Sequence, residues 1–155
     1  DLFRPLGVRT EQTAEGVRLT KGKAESLNGV WEVDFSQCPD LAQTLVVTAA
    51  LLQVPFRFTG LASLRIKETD RIAALVAEMA KLGITLTPSA DSISFQPAAA
   101  APLPCLAPIR TYDDHRMAMA FAPAAYRFPT LSIADAGVVS KSYPSFWEDI
   151  QSLLC

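Results

Sequence analysis

Histidine is almost missing from this chain: His115 is the only one in 155 residues. A histidine-rich metal centre is therefore excluded. Cysteine is scarce as well. Cys38, Cys105 and Cys155 are odd in number, widely spaced and follow no metal-ligand pattern. They read as reduced, mostly structural thiols of a cytoplasmic protein. There is no basic tract, and the net charge is -2, which argues against general nucleic-acid binding. The longest apolar stretches are too short or too interrupted to cross a membrane, and no signal-peptide pattern is visible.

What is present is ordinary for a folded domain. Half the residues are apolar and 19% are charged, enough for one domain with a substantial core. The chain opens on Asp1 rather than Met, and residues 1–7 read as the tail of a helix. The expectation is a piece of a longer protein.

Periodicity lays out the elements. Residues 8–20 read as a β-hairpin, with Val17 and Leu19 alternating with Arg18 and Thr20 after a turn at Gly16. Residues 29–35 alternate as a strand. Cys38-Pro39-Asp40 opens a helix through Leu52, proline suiting its first turn. A strand follows at 56–61. Ile72, Leu75, Val76, Met79 and Leu82 then share one helical face, with Thr69 as the N-cap and Gly83 as the left-handed stop. Beyond a second hairpin, residues 97–108 are an Ala- and Pro-rich loop. A helix runs from the 111–118 stretch to about Tyr126, kinked by Pro123. Residues 130–133 read as a strand and 135–141 as a loop. Ser142 is read as the cap of a last helix, with Phe146, Trp147, Ile150, Leu153 and Leu154 on its apolar face.

The chain also repeats itself. Leu6-Gly7-Val8 returns as Leu82-Gly83-Ile84, and Val17-Arg18-Leu19 as Ile93-Ser94-Phe95, without a gap. Asp40 and Arg116 keep the same displacement, and Lys67 and Lys141 keep it less two residues, after a short deletion near 127–129. Such self-similarity marks a repeated supersecondary unit. The element order makes that unit βαβαββ, in the α/β (α+β) class.

The chemistry gathers at helix starts. Asp40 lies in the first turn of one helix, Lys67, Glu68 and Arg71 at the start of the next, His115 and Arg116 at the third, and Lys141 before the fourth. Taken alone, each group suits a solvated, self-paired cap charge. Their recurrence at repeat positions suggests one site instead. Helices of repeated βαβ units run roughly parallel, so their N-termini can gather. Cations and helix dipoles together suit a small substrate with several phosphate or carboxylate groups. Asp40 or Glu68 can move protons there.

Two motifs carry a family resemblance. Lys67-Glu68-Thr69-Asp70-Arg71 and Asp114-His115-Arg116-Met117-Ala118 resemble the signatures of the 5-enolpyruvylshikimate-3-phosphate synthase (3-phosphoshikimate 1-carboxyvinyltransferase) family. Val139-Ser140-Lys141-Ser142-Tyr143-Pro144 is similar to its closing lysine motif, and Pro39-Asp40 to its catalytic-aspartate segment. Order and spacing agree through all 155 residues. The chain departs from the pattern at Ser63 and Asp113, where the family often has Asn, and at Asp135-Ala136, where it usually has Asp-Pro.

The resemblance implies that residues 1–155 are the C-terminal part of one domain in a two-domain enolpyruvyltransferase (inside-out α/β barrel) fold. It implies transfer of the enolpyruvyl group of phosphoenolpyruvate to the 5-hydroxyl of shikimate 3-phosphate, with release of phosphate. That is the step before chorismate in aromatic amino-acid synthesis, inhibited by glyphosate in many members. No cofactor or metal, no nucleic acid and no membrane is implied, and the full-length enzyme is expected to be a monomer. By matching motif, Asp40 is the proton acceptor and binds shikimate 3-phosphate. Lys67 contacts that substrate and the reaction centre. Glu68 is a candidate for proton transfer at the methylene. Arg71, Arg116 and Lys141 hold phosphoenolpyruvate, and His115 is a supporting donor. Other contacts come from upstream segments, so the chain alone is expected to be inactive. The alternatives are a UDP-N-acetylglucosamine enolpyruvyltransferase, whose relatives lack the Asp-His-Arg-Met-Ala motif, an RNA-end-processing relative, which should show a basic, aromatic-lined surface, and a structural fragment that binds neither substrate.

Overall fold

Alternation of apolar and polar residues builds a four-stranded sheet at the centre of the chain. A computed structural model describes residues 2–25, 27–99, 103–105 and 107–154. Asp1, Cys155 and the side chain of Leu154 lie outside the described residues. The sheet order is β3-β4-β6-β5, from β3 (Trp31–Asp34), β4 (Phe56–Thr59), β5 (Thr87–Pro88) and β6 (Ile93–Phe95). β3 and β4 run parallel, and β6 lies antiparallel to β4 with Phe56 opposite Phe95 and Phe58 opposite Ile93. Between them come α1 (Ala42–Leu51) and α2 (Arg71–Lys81). Residues 31–95 therefore form the βαβαββ unit expected from the element order.

Aromatic side chains hold the sheet together. Phe56 stacks on Phe58 at 4.2 Å, and Trp31 and Phe35 meet Phe58 edge-on at 5.5 and 5.3 Å. α1 is apolar around most of its circumference, and Leu45, Val46, Val47, Ala49 and Ala50 are fully buried. A helix of that composition belongs inside. α2 is amphipathic and buries Ile72, Leu75 and Met79. It ends at Gly83, whose φ of 74° supplies the left-handed turn. Gly60 is needed for space as well as torsion: a Cβ there would come within 2.4 Å of the Ser36 backbone nitrogen.

The hairpin of β1 (Val8–Thr13) and β2 (Gly16–Lys21) forms a separate two-stranded sheet. The 3₁₀ turn Arg4–Leu6 precedes it. The second copy of the repeat is more irregular. Its strands shrink to a single parallel bridge between Ile109 and Ile133, so the strand expected at 130–133 is not formed. α3 (His115–Phe121) passes into a 3₁₀ turn, Ala122–Tyr126, at Pro123. The loop expected at 135–141 is the 3₁₀ turn Ala136–Lys141, and α4 (Phe146–Leu154) starts later than a Ser142 cap would place it. Pro144 accounts for the delay, since it disfavours helical torsions in the residue before it. Leu153 keeps its place on the expected apolar face, in line with Phe146 and Ile150, but is 74% exposed.

The repeat is visible as contact as well as pattern. Arg116 and Arg127, on the α3 segment, donate to the carbonyls of Asp40 and Leu51, each 76 positions earlier. α1 and α3 thus lie side by side with equivalent residues in touch. Cys38 is half-buried, but Cys105 is exposed and is no structural thiol. No helix among the described residues is long and apolar enough to cross a membrane.

Candidate active site

The charged cluster begins at the start of α2. Asp70, not the expected Thr69, is the N-cap. Its torsions are extended and its carboxylate accepts from the Ala73 backbone N–H at 3.0 Å. Both residue types cap well, and the backbone turn decides between them. Arg65 holds Asp70 from the side at 3.1 Å while donating to the carbonyls of Ala90 and Ser89. The second hairpin is thereby tied to the cap.

Arg71 is the centre of the site. It is only 1% exposed, and each nitrogen of its head group meets a carboxylate. Nε donates to Asp114 at 2.6 Å, Nη1 to Asp40 at 2.7 Å and Nη2 to Glu68 at 2.7 Å. A rigid guanidinium fork suits this convergence better than an ammonium would. Its partners come from the turn before α1, the turn before α2 and the start of α3, so one side chain joins three helix entrances.

Asp40 is shared further. Arg116 approaches its Oδ2 at 3.4 Å and donates to its carbonyl oxygen at 3.3 Å. Lys67 stands 3.8 Å from Oδ1. These contacts are looser than the one with Arg71. The Arg116 guanidinium reaches Asp40 rather than its neighbours in sequence, and its backbone N–H donates to Asp114 at 2.8 Å. Lys141 sits on Asp113, 2.8 Å from Oδ1 and 3.2 Å from its carbonyl oxygen. His115 is the first residue of α3, close enough for its positive charge to favour the Glu68 carboxylate.

Five of the expected residues, Asp40, Lys67, Glu68, Arg71 and Arg116, are in one contact network. Lys141 joins it through Asp113, and His115 lies beside it. The network is electrically balanced: Asp40, Glu68 and Asp114 face Lys67, Arg71 and Arg116. The Glu68 carboxyl is held below its usual range chiefly by its own backbone N–H, against some burial, with help from Arg71, His115 and Lys67. It is thus held in its ionised form.

Asp114 is the residue that sequence reasoning missed as a partner. It is fully buried, caps α3 and grips Arg71. Its place before a helical run was a cap signal, but nothing local points to an arginine 43 positions away. The turn before it is strained. Tyr112 and Asp113 have φ of 55° and 56°, a region that costs a non-glycine residue about 1 kcal/mol or more. Among the described residues no group of His, Cys, Asp and Glu is arranged to hold a metal ion. An apolar cavity of about 460 Å³, lined by Leu41, Leu19 and Phe3 among others, lies beside the cluster rather than in it.

Comparison with known proteins gives this geometry its context. The family model described as EPSP synthase (3-phosphoshikimate 1-carboxyvinyltransferase) matches residues 2–150. A 3-phosphoshikimate 1-carboxyvinyltransferase from Bacteroides fragilis is 54% identical over 153 residues, covering 97% of this chain and 36% of the relative. One from Methanosphaerula palustris is 38% identical, covering 94% and 33%. The chain thus spans about a third of the length of the curated relatives it matches. The solved EPSP synthase from Acinetobacter baumannii superposes with a TM-score of 0.67 at 24% identity, over 97% of this chain and 37% of that one. That likeness extends to the fold.

Proposed function

Because the chain belongs to the EPSP synthase (3-phosphoshikimate 1-carboxyvinyltransferase) family, we propose that it supplies one wall of a site that transfers the enolpyruvyl group of phosphoenolpyruvate to the 5-hydroxyl of shikimate 3-phosphate. The supporting observation is the convergence, within the matched residues, of Asp40 and Glu68 on Arg71 and of Lys67 and Arg116 on Asp40.

In this reading the hydroxyl oxygen adds to C2 of phosphoenolpyruvate. Asp40 takes the hydroxyl proton, and the Lys67 ammonium, assigned to the reaction centre and 3.8 Å from Asp40, gives one to C3. Phosphate then leaves C2 as a methyl proton departs, restoring the methylene. Glu68, held as a carboxylate, is the candidate acceptor of that methyl proton. Arg116 and Lys67, loosely held by Asp40, are the cations most easily turned toward a substrate anion. Arg71 and Lys141 complete the phosphoenolpyruvate side, and His115 supports it. Fixed positive charge around the tetrahedral intermediate lowers the barrier.

The charge balance also argues that the wall is incomplete. Three carboxylates neutralise three cations before any ligand arrives, whereas phosphoenolpyruvate and shikimate 3-phosphate bring several negative charges. The surplus cations belong on the part of the relatives that this chain does not span. We accordingly place residues 1–155 in one domain of the two-domain fold and expect the chain alone to be inactive; on the family resemblance alone, we assign the whole enzyme to the cytoplasm as a monomer.

The test is a chimera in which this chain replaces the matching third of the Bacteroides fragilis relative. Phosphate release from phosphoenolpyruvate should require shikimate 3-phosphate. It should fall by about 10²-fold or more in Asp40→Asn and Arg116→Ala variants that still fold. A folded chimera that releases no phosphate would overturn the reading.

A further inference from the structure

Glu78 is a buried carboxylate that the proposed reaction does not use. It lies on α2 two turns beyond Arg71 and is 1% exposed. A charge so placed is costly unless its oxygens are well served, and these are. Oε2 accepts from Lys81 Nζ at 2.5 Å and from the Arg110 backbone N–H at 2.9 Å, and Oε1 accepts from the Tyr112 hydroxyl at 2.8 Å. Two of these donors belong to the stretch that leads into α3. Lys81 adds a parallel tie by donating to the Pro108 carbonyl at 2.8 Å. The Arg110 guanidinium lies 5.1 Å from the centre of the Tyr112 ring.

The strained turn follows at once. Tyr112 and Asp113 take left-handed torsions, which persist in non-glycine residues only where the surroundings enforce them. This turn sets the second half of the charged network. Asp113 takes Lys141, Asp114 takes Arg71 and caps α3, and the next residues are His115 and Arg116.

We propose that Glu78 is a positioning residue: by holding Arg110 and Tyr112 it enforces the strained turn, and through that turn it aligns Lys141, Arg71 and Arg116. An apolar side chain at position 78 would fill the same space but would fix neither the height nor the rotation of the 110–112 stretch. A carboxylate that binds a backbone N–H and a hydroxyl of that stretch fixes both. The kinetic consequence rests on the proposed reaction. Because the aligned cations are those assigned to phosphoenolpyruvate, Glu78 should govern that substrate more than shikimate 3-phosphate.

Two variants test this. Tyr112→Phe keeps the ring and removes one hydrogen bond. Glu78→Gln keeps the shape and removes the charge. In the chimera both should raise KM for phosphoenolpyruvate, on the order of tenfold for Tyr112→Phe and more for Glu78→Gln, since misplacement of site groups by a fraction of an ångström is felt strongly. KM for shikimate 3-phosphate should stay within about twofold. In the 155-residue chain itself, Tyr112→Phe should shift the amide NMR signals of Asp113 to Arg116 and of Lys141. If Glu78 serves stability alone, the variants will lower the unfolding midpoint and leave both KM values unchanged, which overturns the proposal. Unmoved signals at Asp113 to Arg116 overturn it as well. An inactive parent chimera would count against the reaction, while the amide signals would still decide the positioning role.

Discussion

The two hairpins carry the same pattern and meet opposite fates. Val17 and Leu19 of β2 are 59% and 65% exposed, whereas Ile93 and Phe95, their counterparts in β6, are 0% and 4% exposed. The register is conserved too. Gly22 donates to Gly7, so even-numbered residues of the β2 segment bond toward β1, leaving the backbone groups of Val17 and Leu19 on the outer edge. In β6 the matching edge, at Ile93 and Phe95, is paired with β4. Alternation tells which face of a strand can be covered. The cover itself comes from a neighbouring element, and among the described residues only the second hairpin has one.

The largest expected effect breaks that comparison directly. Phe95→Ala removes a ring packed 5.8 Å from Phe56 in the core and should cost about 3–5 kcal/mol in denaturant unfolding. Leu19→Ala, at the equivalent position, should change stability by no more than about 0.5 kcal/mol in this chain. Equal costs would show that the first hairpin is covered after all.

The two helix entrances with matching lysines differ in the same sense. Lys67 and Arg71 precede and begin α2; two repeat-equivalent positions later in the chain, Lys141 and Ser145 precede α4. Arg71 is buried among three carboxylates, while Ser145 is exposed and bonds only locally to Asp149. Arg71→Ala leaves Asp114 buried without its cation, and about 3–5 kcal/mol should be lost. Lys141→Ala removes an ion pair whose side chains are 51% and 81% exposed, so less than about 1 kcal/mol is expected. Parallel chemical unfolding of the two variants measures the contrast, and comparable losses would mean that the second entrance is also structural.

What the sequence made legible follows from how far each interaction reaches. The first hairpin, α1 after Pro39, the apolar face of α2 and its Gly83 stop depend on neighbours within one or two turns, and they stand in the structure. Local pattern failed where two nearby residues compete, as when Asp70 rather than Thr69 took the cap. It failed again where the second copy lost its strands, reducing residues 130–133 to one bridge at Ile133. The site divides in the same way. Cations at helix starts were visible, because capping and dipole preferences are local. Their pairing was not: Arg71 finds Asp40 and Asp114 at separations of 31 and 43 residues, and the left-handed turn at Tyr112 that makes the second contact has no glycine to announce it.

The smallest expected effect sharpens the contrast between entrances by acid. Glu68 is ionisable, and the residue at the corresponding place before α4 is Ser142, which is not. The Glu68 carboxyl titrates below its usual range, first because of its own backbone N–H and then, against burial, because of Arg71, His115 and Lys67. The folded chain therefore holds the proton less readily than the unfolded one. The ionised group stabilises the fold above the ordinary carboxylate range, and that contribution is lost as pH falls through the lowered folded value. Between about pH 5 and pH 3 the wild type should lose more stability than Glu68→Gln. The Glu68 side chain is 52% exposed, so solvent screening keeps the difference to a fraction of a kcal/mol. Urea midpoints across that pH range give the answer. Parallel curves for the two proteins would remove Glu68 from the acid response and leave the α2 entrance held by Asp40 and Asp114 alone.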